Sequence, residues 1–159
     1  MKTAVVFYSL DGNCAFVAEE LKNLLGADLF QIKTKDEKQR SFIGKMFWGA
    51  GMVLMKKKPP LKPYNFDPAA YDFIIIGAPV WAGAPAPPIE TFLSGAGLLS
   101  GLAGKKIALF ICHGEGPGKA MEKFKALLPG CTIAAEADFA NPSKSSGEAK
   151  KKIGEWVVG

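Results

Sequence analysis

Three stretches of this sequence bring hydrogen-bond donors, small residues and a ring-bearing side chain into short turns, each directly after an apolar run. The first is Ser9-Leu10-Asp11-Gly12-Asn13-Cys14. Gly12 lets the backbone approach a ligand closely. A helix starting at Asn13 would offer unpaired N–H groups and the positive end of its dipole. Ser9 Oγ and the Asn13 amide add donors, so a phosphate fits this turn although no lysine or arginine lies in it. A plain turn capped by Asp11 or Asn13 would use the same residues. The spacing is neither GxGxxG nor a Walker A loop, so the usual fingerprints of dinucleotides and nucleoside triphosphates are missing.

The second stretch runs from Gly77 to Pro88 and contains Pro79-Val80-Trp81-Ala82-Gly83. Small residues and prolines stiffen the loop, and Trp81 is its one large side chain. An aromatic fixed there can cover a flat heteroaromatic ring, or it can pack against a helix. The third is Cys112-His113-Gly114-Glu115-Gly116-Pro117-Gly118. Its glycines free the backbone to wrap the edge of a planar ligand. His113, the sole histidine, suits a proton donor or a ring contact, against the simpler reading of a solvated loop side chain. Cys112 reads as a buried strand-end residue rather than a reactive thiol.

The elements that would hold these turns follow from periodicity. Apolar runs at Thr3–Tyr8, Asp28–Ile32, Phe73–Ala78, Lys106–Ile111 and Thr132–Phe139 read as strands. Helical spacing appears over Asn13–Leu25, with Phe16, Val17, Leu21, Leu24 and Leu25 on one stripe and Gly26 as the stop. It recurs over Ile89–Leu93, Gly118–Leu128 and Ser145–Val158, the last with Ile153, Trp156 and Val157 facing inward. This alternation predicts an open parallel sheet with helices on both faces. Ligands of such sheets bind beyond the carboxyl ends of the strands, where the three turns fall.

Between the second and third strands the chain spends more residues than one crossover needs. This insert, Lys33 to Tyr71, contains an apolar stripe of Phe42, Ile43, Met46, Phe47, Ala50, Val53 and Leu54, ended by Pro59-Pro60. The stripe suits a lid over a ligand, a docking face for a partner or a second copy, contact with an anionic membrane surface, or burial against the sheet edge.

With 159 residues the chain is expected to be one domain with a proper core. Its start lacks the length and cleavage site of a signal peptide, and Phe47 to Met55 is too short to span a bilayer. Three cysteines without a CxxC pair suggest neither a disulfide framework nor a metal site. A cytoplasmic protein is the expectation. The net charge of +5 is gathered in two clusters. One spans Lys33, Lys35, Lys38, Arg40, Lys45, Lys56-Lys57-Lys58 and Lys62; the other is Lys144 and Lys150-Lys151-Lys152. Both suit an anionic partner or a solvated face. Arg40 is the single arginine, which speaks against sequence-specific nucleic-acid reading.

Taken together, the three turns resemble those of the short-chain FMN-binding proteins of the flavodoxin-like family. The resemblance rests on Ser9-x-x-Gly12-Asn13, on Ile76 to Gly83 with Pro87-Pro88 and Phe92-Leu93 behind it, and on the turn His113–Gly118. It implies a three-layer α/β sandwich with a five-stranded parallel sheet of order 2-1-3-4-5, spanning 1–159 with the insert at about 33–71. It implies FMN as cofactor, its phosphate at Ser9, Leu10, Asp11, Gly12, Asn13 and Cys14. Pro79, Val80, Trp81, Ala82 and Gly83 and, opposite, His113, Gly114, Glu115, Gly116 and Gly118 would flank the flavin ring. The function implied is electron carriage between protein partners, in a monomer or homodimer. The alternative is an FMN-dependent NAD(P)H:quinone-type oxidoreductase using a small-molecule acceptor. No catalytic residue or metal ligand is assigned. A phosphate site without a cationic side chain would also disfavour added negative charge on a flavin.

Overall fold

The computed structural model describes residues 1–35 and 58–158. Among the described residues, five parallel strands form the sheet: β1 (Thr3–Tyr8), β2 (Asp28–Ile32), β3 (Phe73–Trp81), β5 (Lys106–His113) and β6 (Ile133–Ala140). Their order is β2-β1-β3-β5-β6, and a two-residue arm, β4 (Ala84–Pro85), folds back antiparallel on β3. With that arm set aside, the order is the expected 2-1-3-4-5. Among the described residues, α-helices cover Asn13–Leu25 (α1), Pro87–Leu93 (α2), Leu98–Leu102 (α3) and Ala120–Ala126 (α4) between strands, and Ser146–Val158 (α5) after the last one.

Alternation along the central strands builds two cores. Ala4, Val6 and Tyr8 of β1, Ile74, Ile76 and Ala78 of β3, and Ile107, Leu109 and Ile111 of β5 face one side. There they meet Ile89 and Phe92 of α2, Leu102 of α3 and Phe124 of α4. Val5, Phe7, Ile75, Ala108, Phe110 and Cys112 face the other side, against Val17, Ala18 and Leu21 of α1 and Ile153 of α5. Both faces are covered, so the strands read as unbroken apolar runs. Gly77 faces the second core, and a Cβ built on it would overlap the ring of Phe110. The glycine is the space that the ring fills.

Several boundaries differ from the periodic reading. β3 extends through Pro79, Val80 and Trp81, and β5 through Cys112 and His113, so two of the chemical turns start from rigid strand rather than loop. α4 starts at Ala120 instead of Gly118, because Gly118 holds φ at 52°, outside right-handed helix. In α1 the burial stripe is Cys14, Val17, Ala18 and Leu21, whereas Leu24 is 53% exposed.

The candidate helix at Phe42 to Leu54 lies outside the described residues. The described ends of the insert pair with each other. Thr34 and Leu61 form an antiparallel bridge, with Lys35 N–H donating to the Pro60 carbonyl and Lys62 N–H to that of Lys33. Beyond the bridge, Phe66 packs against Phe30, Tyr71 and Phe92, laying aromatic rings beside β2. Among the described residues, no helix is long and apolar enough to cross a membrane.

Candidate functional site

The turn after β1 is shaped by its own side chains. Gly12 caps α1 with φ at 93°, a value that favours glycine, and its carbonyl accepts from Phe16 N–H at 2.9 Å. Ser9 Oγ accepts from Ala15 N–H at 3.2 Å. Asp11 folds back on the helix start, with Oδ1 accepting from Asn13 N–H and Oδ2 from Asn13 Nδ2, both at 3.1 Å. Leu10 packs against the first core. Cys14 is fully buried, and burial first, then neighbouring Cys112, pushes its thiol well above the ordinary range. It is a neutral packing group rather than a nucleophile.

The turn after β3 is a tight hairpin. Val80 pairs with Pro85 and Trp81 with Ala84, leaving Ala82 and Gly83 as its two central residues at φ 48° and 74°. Two successive positive φ values match the twist of a strand pair. The Trp81 ring stands edge-on to Tyr8, 5.5 Å between centroids, which fixes its orientation at the mouth of the sheet.

His113 is largely buried at the end of β5, not solvated on a loop. Gly116 N–H donates to its Nδ1 at 3.0 Å, so Nδ1 is unprotonated and the ring proton sits on Nε2. That proton is donated to Asp138 of β6, Nε2 to Oδ2 2.7 Å. The hydrogen bond from His113 holds the Asp138 carboxyl below its ordinary range against the opposing cost of burial, with help from the Lys152 charge. His113 thus braces the third turn, with both ring nitrogens engaged.

A fourth stretch, after β6, joins the other three. Asn141 takes φ 42°, a conformation asparagine tolerates, and its N–H donates to the His113 carbonyl at 2.9 Å. Ser143 donates from both N–H (3.2 Å) and Oγ (2.7 Å) to Asn13 Oδ1, 130 residues away in the chain. Lys144 N–H closes the turn on the Asn141 carbonyl at 2.9 Å.

These stretches enclose a cleft of about 460 Å³ at the carboxyl ends of the strands, within the range of small-molecule sites. Asp11 and Asn13 line it from the first turn, Pro79, Val80 and Trp81 from the second, and Cys112, His113 and Gly114 from the third. Asn141, Ser143 and Lys144 complete the wall. Other residues named from the sequence stand behind or beside it. Ser9, Leu10, Gly12 and Cys14 shape the first turn, and Ala82 and Gly83 form the hairpin tip. Glu115 is exposed, Gly116 anchors His113, and Gly118 lines a separate depression with Pro117 and Met121. The fourth stretch gave no signal in the sequence beyond its charge. It also changes the electrostatics: the cleft has a cationic side chain, Lys144, which the first turn alone does not supply.

The order of the strands and the convergence of loops on a cleft at their carboxyl ends define a flavodoxin-like α/β protein. The family model described as Flavodoxin matches residues 2–158, and the chain belongs to that family. No curated protein matches it. Among solved structures, a flavoprotein from Lactobacillus acidophilus NCFM in complex with FMN is 23% identical. The match covers 92% of this chain and 97% of that one, with a TM-score of 0.73. Two-electron reduced Megasphaera elsdenii flavodoxin is 22% identical, with 96% of each chain covered and a TM-score of 0.60. The WrbA-like flavodoxin from Agrobacterium tumefaciens is 18% identical, with 98% of each chain covered and a TM-score of 0.56.

Proposed function

We propose that the chain binds one FMN in this cleft and carries electrons between protein partners in the cytoplasm. The observation that carries the reading is the convergence on one cleft of a phosphate-type turn at the start of α1 and two rigid turns bearing Trp81 and His113. Family membership and the FMN complex of the Lactobacillus acidophilus protein support the choice of flavin. Three cysteines with no disulfide among them suit a reducing compartment.

The residues fit such a group. The first turn of α1, with Ser9 and Asn13, would face the phosphate, and the hairpin Pro79–Gly83 and the turn His113–Gly118 would flank the ring. FMN would supply the redox chemistry; the chain supplies binding, orientation and partial exclusion of water. Trp81, held by Tyr8, presents an apolar face to a planar ligand. His113 directs its one ring proton at Asp138, so it is not poised to protonate a ligand in the cleft. Backbone groups of Val80–Gly83 are the closest candidates for contacts at the reactive edge.

The purified chain should be yellow, release FMN on denaturation, and oxidise NADH or NADPH slowly unless a protein partner is present. Fast nicotinamide oxidation with a quinone as acceptor would replace the carrier reading with the reductase one. Absence of flavin uptake would overturn both.

A further inference from the structure

We propose that Lys144 is a ligand of the flavin phosphate, brought to the start of α1 by the Asn13–Ser143 clasp to offset the charge of Asp11. The inference rests on the FMN reading above and adds a residue from a stretch outside the three turns. The position of Lys144 follows from the clasp. Ser143 holds Asn13 Oδ1 with two hydrogen bonds, so the backbone at 143 lies against the first residue of α1. Lys144 is one residue further, about 3.8 Å along the chain, and lines the same cleft as Asp11 and Asn13. The stretch is pinned from its other end too, where Asn141 donates to the His113 carbonyl.

Charge gives the reason. A phosphate monoester brings between one and two negative charges, and the first turn holds no cation. Asp11 adds a carboxylate to the cleft and occupies Asn13 N–H, one of the donors at the helix start. A dianion placed there meets like charge unless a cation is near. Among the described residues, Lys144 is the lysine that lines this cleft. Its neighbours in sequence are committed elsewhere: Lys150 pairs with Glu20, Lys151 with Glu155 and Lys152 with Asp138. Among the described residues, no carboxylate pairs with Lys144.

The phosphate-dependent share of affinity isolates this role, because riboflavin carries the same ring without the phosphate. Dissociation constants for FMN and for riboflavin are read from quenching of flavin fluorescence in wild type, Lys144→Met, Lys144→Arg and Asp11→Asn. Lys144→Met should weaken FMN about tenfold, the size of one charge-assisted hydrogen bond, and leave riboflavin unchanged. Lys144→Arg should keep the FMN preference, and Asp11→Asn should increase it. Added salt should weaken FMN binding more in wild type than in Lys144→Met. If Lys144→Met leaves the FMN-to-riboflavin ratio as in wild type, whether both affinities hold or both fall, the assignment of Lys144 is overturned while the FMN site stands. If wild type binds neither flavin, the FMN reading falls and the assignment with it.

Discussion

Ala82 holds φ at 48° in the hairpin that faces the cleft, next to Gly83 at 74°. An alanine in the left-handed region costs about 1–2 kcal/mol, and the sequence gives no sign of it, since alanine is the usual residue of helices. Ala82→Asn should raise stability by about 1 kcal/mol, because Asn-Gly is the preferred pair for this turn. Thermal unfolding of the apo chain checks it; an unchanged or lower midpoint would mean that the turn carries no such strain. His113 was equally opaque. Its type marked it as a candidate, but its partner Asp138 is 25 residues away in sequence, on the neighbouring strand. The Asp138 carboxyl is lowered in the folded state, so its contribution to stability is complete above its unfolded pKa. The contribution is lost as pH falls through the folded value. The stability difference between wild type and Asp138→Asn should therefore hold near neutral pH and shrink below about pH 4. A difference constant across that range would contradict the assignment.

At the level of elements, the central strands were legible because both faces of the sheet are covered there, as over Thr3–Tyr8. The edge strand Asp28–Ile32 also has the bounds read from the sequence, although only Ile32 in it is buried. Strand ends were less legible. Pro79 reads as a breaker, yet it pairs with Cys112 of β5 at the top of the sheet, and Pro85 sits on the short β4 arm. α3 spans five residues, too few for a helical period to register. Gly77 reads as the end of a strand opening into a stiff loop, and nothing in the sequence hints that its missing Cβ makes room for Phe110. Gly77→Ala should cost about 1–3 kcal/mol by overpacking, measured by denaturant unfolding. Combined with Phe110→Leu, it should cost less than the sum of the two single changes. Full additivity would show that the ring and the glycine do not share that space.

On the scale of the whole molecule, the site is assembled by the topology. β1, β3 and β5 are adjacent in the sheet, so the turns after them meet without further design. That much could be read from three motifs and the order of the strands. The stretch after β6 could not, because asparagine, serine and lysine there form no motif, and their role depends on Ser143 reaching Asn13 across the cleft. The second basic cluster also changes meaning. Lys150, Lys151 and Lys152 are held in ion pairs along α5, while Lys144 separates from them and joins the cleft.

The most direct test of the account is the crystal structure of the chain with FMN. It should place the phosphate against Ser9 to Asn13 and the ring between the Trp81 hairpin and the His113–Gly118 turn. A cleft closed by side chains, or a flavin bound elsewhere on the molecule, would contradict it.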